Sequence, residues 1–159
     1  MTLSTPRNAH QEPRVLQHSL VRFEGMKRHK IITYLKNSHR HYESTVIPQI
    51  EQSFLGVLKL FPNEPSLSVI FNLFVKFQIS MELHMKLEEE KIYQHKLNQA
   101  ISKRDFAEHL HEEPFLTEII SCLNRQFYAN NPFCQILIHQ LVNFDQELQE
   151  HSWIEENLI

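Results

Sequence analysis

Apolar residues recur along most of this chain at steps of three and four, the spacing that lines one face of an α-helix. After a polar stretch, Leu16, Leu20 and Phe23 mark a short amphipathic arm over residues 15–26. A first long segment, residues 30–61, carries Leu35, His39, Tyr42, Val46, Ile50, Phe54 and Val57 on one line. Pro48 falls inside it and is expected to kink or break the helix, because proline lacks the N–H a helix interior uses. Pro62-Asn63-Glu64-Pro65 is a loop signal. A second segment, residues 66–100, runs through Ile70, Phe74, Phe77, Met81, His84, Glu88 and Ile92. A third starts near Asp105, where Asp105 and Glu108 fit a capping box. Its line is Phe106, His109, Glu113, Leu116, Ile120, Leu123 and Phe127. Pro114 either kinks this helix or sits in the first turn of one that begins near Glu113. Asn130-Asn131-Pro132 is the last turn, and the fourth segment places Leu137, Leu141, Phe144, Leu148, His151 and Glu155 on one line.

The pattern predicts an all-α fold, a four-helix bundle in up-down-up-down order with a short N-terminal helical arm. Residues 15–159 form one domain in this reading, and residues 1–14 a disordered lead-in. Composition sharpens it. Only two glycines occur in 159 residues, too few for the tight turns of a β-rich fold. A formal charge of −3 argues against a broad basic face for nucleic acid. No uninterrupted apolar run is long enough to suggest a membrane span, and the polar N-terminus lacks the apolar core of a secretory signal. Cys122 and Cys134 imply no disulfide framework. A cytoplasmic protein is expected, without nucleic-acid or membrane partners.

Eleven histidines invite a metal hypothesis, although His10, His18, His29, His95 and His139 read as surface residues. The informative positions are polar groups on apolar lines. His84 and Glu88 extend the stripe of the second segment, and His151 and Glu155 that of the fourth. A spacing of four puts each pair on one helix face. A buried carboxylate needs a cation or strong hydrogen bonds, and two such pairs meeting in a bundle core can hold metal. Alternatively, the pairs sit at the edge of their stripes, where Glu88-Glu89-Glu90 would be a solvated run. No HExxH occurs, so a zinc-protease reading fails.

The stretch from Glu82 through His84-Met85-Lys86-Leu87-Glu88-Glu89-Glu90 to Tyr93 resembles a motif of the hemerythrin-like RIC family, the regulators of iron–sulfur cluster repair. The stretch from Asn37 to Tyr42 followed by Val46-Ile47-Pro48 is similar to the family's first helix, and Phe144–His151 with Ile154-Glu155-Glu156-Asn157 to its last. The resemblance implies a hemerythrin-like bundle with two non-haem irons, oxo- and carboxylate-bridged. Their ligands would be His39, His84, Glu88, His151 and Glu155, with His109 or His111 from the third helix. Glu88 and Glu155 would be the bridges. The family carries a further histidine near the end of the first helix, but none lies between His41 and His84. One iron is therefore an imidazole short, with His41 or the spare third-helix histidine as candidate replacements. By the same comparison, the cysteine-bearing N-terminal domain of many members is not expected in this protein.

By that resemblance the partners are iron ions, O₂ or nitric oxide as small ligands, and damaged iron–sulfur proteins. The implied role is repair of iron–sulfur clusters or a response to nitric oxide and oxidative stress. Two rivals stand beside it: a non-catalytic sensor or store that binds iron, O₂ or nitric oxide, and a metal-free helical interaction protein. Whether the chain is an enzyme stays open, as does its oligomeric state, for which a homodimer is one option.

Overall fold

The computed structural model describes residues 22–94 and 113–159, and every regular element among them is helical. Helix α1 (Arg28–His41) runs through a π-helical turn (Tyr42–Val46) into α2 (Ile47–Leu60). Helix α3 (Pro65–Leu87) continues into a second π segment (Glu88–Tyr93). Helix α4 (Glu113–Asn124) is followed by a short 3₁₀ turn (Phe127–Asn130) and the long α5 (Pro132–Leu158). Helix α2 packs on α3, α3 on α4, α4 on α5 and α5 on α2, which closes a ring of four; α1 also lies against α5. The molecule is thus a helical bundle.

Pro48 does not break its helix, contrary to expectation. The π turn covers Ser44, the residue whose carbonyl the proline ring would meet in a regular helix. Widening the turn there accommodates the ring. It also shifts the inner line: the residue buried after Tyr42 is Ile47, not Val46, which is only half-buried. From Ile47 the line recovers its expected course through Ile50, Phe54 and Val57.

Helix α3 buries Ile70, Phe74, Phe77 and Met81 as the spacing requires, then Met85 rather than the expected His84, which is only half-buried, and the π segment after it buries Glu88 and Tyr93. The final step, from Glu88 to Tyr93, is five residues, as a π segment demands. Helix α5 buries all six residues of its expected line. Asn131 caps it by accepting a hydrogen bond from the Phe133 backbone N–H, with Pro132 in the first turn. In α4, Leu116, Ile119 and Leu123 are buried and Ile120 only partly so. Phe127 is 71% exposed. The helix stops at Asn124, so the helical spacing no longer applies, and Tyr128 turns inward in its place. The expectations for Phe106, His109 and His111 fall outside the described residues.

Two apolar clusters result. The larger joins α2, α3, α4 and α5 around Phe54, Phe74, Phe77 and Phe144. The smaller gathers Phe23, Ile31, Ile32, Leu35, Tyr93 and Ile154 at one end. Phe23 belongs to the expected arm and packs edge-on against Tyr34. The described end of the arm is therefore anchored to the bundle through Phe23. Both cysteines are free thiols. Val69, Ile79, Leu83 and Leu87 are exposed on α3, which gives residues 65–91 the length and hydropathy of a membrane-crossing helix although the opposite face is built into the core.

Candidate metal centre

Between the two apolar clusters sits a group of polar side chains. His39 is 1% exposed, Glu88 2%, His151 5% and Glu155 4%. They are the buried polar and charged residues among those described. Helix α1 supplies His39, the π segment after α3 supplies Glu88, and successive turns of α5 supply His151 and Glu155. Their donor atoms all lie within 4.8 Å of one another.

The geometry is close. His39 Nε2 lies 3.0 Å from His151 Nε2 and 3.2 Å from Glu88 Oε2. His151 Nε2 lies 3.2 Å from Glu155 Oε1. The other Glu88 oxygen, Oε1, is 2.6 Å from His84 Nε2. One carboxylate thus faces an imidazole on each side. His84 itself is half-buried at the rim and outside the four-donor group. His41, a candidate replacement ligand by sequence, is exposed and does not join the group. His29 and His139 are exposed as expected. His109 and His111 lie outside the described residues.

Two contributors escaped the sequence reading. Glu89 Oε1 accepts a hydrogen bond from His39 Nδ1–H at 3.0 Å. A carboxylate can only accept, so the proton is fixed on Nδ1 and Nε2 is turned toward the cluster, the usual means of orienting a metal-binding imidazole. Tyr93 is fully buried. Its hydroxyl donates to Glu155 Oε1 and lies 3.4 Å from both His39 Nε2 and His151 Nε2. A five-residue step from Glu88 was the available signal, but it becomes meaningful only once the π segment is known.

The electrostatics show how these groups hold one another. Burial alone would raise the Glu88 carboxyl, yet His39 and His84 beside it hold it well below the usual carboxylate range. Burial would lower His39, but Glu88 and Glu89 outweigh it and its imidazole is held above its ordinary value. For Tyr93, burial and then the charges of Glu155 and Glu88 push the phenol far up.

These residues fit a metal ion. Glu88 Oε2 is buried without a hydrogen-bond partner. The 3.2 Å approach of His39 to Glu88 Oε2 gives Coulombic attraction without hydrogen-bond alignment. Two buried carboxylates and two imidazole nitrogens turned toward one point can hold a cation that compensates their charge. Imidazole and carboxylate donors without thiolate suit a first-row transition metal.

A pocket of about 290 Å³ opens beside the cluster, lined on α1 and the first π turn by Tyr34, Asn37, Ser38, His41 and Tyr42, and on α5 by Glu147, Glu150 and His151. His151 is thus shared between pocket and cluster. No family model matches the chain, and neither a curated protein nor a solved structure does.

Proposed function

We propose that this chain is a non-haem iron protein with a hemerythrin-like, up-down-up-down bundle. The observation that carries the reading is Glu88: a buried carboxylate with one oxygen toward His39 and the other toward His84. That disposition suits a carboxylate shared by two cations. His39, His151 and Glu155 would hold the first. His84 would serve the second, together with His109 or His111. Bound iron would supply reversible binding of O₂ or nitric oxide and one-electron redox chemistry. The chain's own residues orient and shield the site. Glu89 sets the His39 ring, the apolar cluster around Ile31, Leu35 and Ile154 closes one end, and the pocket at His151 offers a small molecule a way in. On this reading the protein acts in iron–sulfur cluster repair or in the response to nitric oxide and oxidative stress, in the cytoplasm.

The test is metal stoichiometry after anaerobic loading with Fe(II) and removal of free metal. Two irons per chain are expected. One iron per chain would refute the shared Glu88 and leave a mononuclear centre. Absence of bound iron would favour the metal-free rival, which has support in the contacts the polar residues already make with each other.

A further inference from the structure

Resting on the metal-site reading, we propose that the Tyr93 phenol oxygen is itself a ligand, a fifth donor beside His39, His151, Glu88 and Glu155. The argument is geometric. Ligands bound about 2.0–2.1 Å from one ion, at octahedral or tetrahedral angles, lie about 2.9–3.4 Å from one another. His39 Nε2 and His151 Nε2 are 3.0 Å apart, and Tyr93 Oη is 3.4 Å from each. Glu155 Oε1 lies 3.2 Å from His151 Nε2 and accepts the Tyr93 hydrogen bond. The contacts that involve a histidine nitrogen have the spacing of a coordination polyhedron, whereas the Tyr93–Glu155 hydrogen bond is shorter than such an edge and would open as an ion enters; the phenol oxygen takes one of the corners.

Apolar packing does not require that oxygen, whose contact without an ion is the hydrogen bond it donates to Glu155. The Tyr93 ring stacks on His39 at 5.7 Å and fills the smaller apolar cluster, and a phenylalanine ring would do both. The π segment is what directs position 93 to the same centre as position 88. Charge gives the proposal its chemical content. A phenolate adds one negative charge to the donor set whether or not Glu88 is shared, and it is a hard oxygen donor. The site therefore favours Fe(III). On binding, the phenol O–H bond breaks and an O–Fe bond forms. The proton leaves to solvent, and no oxidation state changes.

The experiment loads the full-length chain with Fe(III) and records visible absorption and resonance Raman spectra beside iron content. A phenolate-to-iron charge-transfer band with tyrosine ring modes is expected in the wild type. It should be lost in Tyr93→Phe at unchanged iron content and kept in Tyr128→Phe. Bound iron without that band, or a band that survives Tyr93→Phe, would overturn the assignment while leaving the metal site standing. Failure of the wild type to bind iron would remove both. If Tyr93→Phe does not fold, the band must survive Tyr34→Phe, Tyr42→Phe and Tyr128→Phe in turn, since these complete the four tyrosines. Its loss in any one of them overturns the proposal.

Discussion

Replacing Glu88 by glutamine keeps the volume of a side chain that is 2% exposed, turns one of its two acceptors into a donor and removes its charge. The bundle should still fold, because the residues packed above and below the centre are untouched. What should disappear is the response to metal. A ligand that binds only the folded state, at a free concentration one hundredfold above its dissociation constant, stabilises it by about 2.7 kcal/mol. For a chain of this size that is worth about 5–11 °C in melting temperature. Loss of an outer-shell partner weakens metal binding by about 10–100-fold, and Glu88 sits among the donors themselves. A hundredfold loss at the same metal concentration leaves about 0.4 kcal/mol, or about 1–2 °C. The assay is thermal unfolding followed by circular dichroism, each protein compared with and without Fe(II) under anaerobic conditions. An equal upward shift in wild type and Glu88→Gln would refute the placement of Glu88 at the ion. A wild type that does not shift would refute the ion.

Glu89→Gln should weaken metal binding by about 10–100-fold in a chelator competition titration, because the His39 ring loses its carboxylate acceptor. Phe144→Ala should cost about 3–5 kcal/mol in urea unfolding, since that ring is buried against Tyr42 and Phe77. The metal-free protein should be most stable between about pH 4.5 and 6.5, the ordinary values of Glu and His. Glu88, depressed in the fold, contributes stability that is lost as pH falls through its folded value below that window. His39, raised in the fold, contributes stability that is lost as pH rises through its folded value above it. Urea midpoints measured across pH in the presence of chelator check both limbs.

Much of this architecture could be read from residue spacing, and several of the exceptions share a cause. The line on α5 from Leu137 to Glu155 is buried as expected, because nothing interrupts its helix. His39, Glu88, His151 and Glu155 come together as their positions on apolar stripes suggested. The reading slipped where a turn departs from the α-helical repeat. Val46 was expected inside and Ile47 is there instead, and Tyr93 went unnoticed because it falls five residues beyond Glu88. Phe127 was carried outward when α4 ended before it. Glu89 was hidden for another reason: in sequence it is one member of an acidic run, and only the fold brings His39 within reach of it.

Each of the two wide turns amounts to a single residue added to a rod that otherwise keeps step with its neighbours. One extra residue rotates everything beyond it by about 100°. The seam of Phe74 and Phe77 on one side of the centre and the phenol on the other are therefore set by separate phases of the same helix. Removing one residue between positions 88 and 93 would swing Tyr93 off the axis while leaving that seam in place. A change of length by one can therefore unmake such a centre without replacing any of its donor side chains.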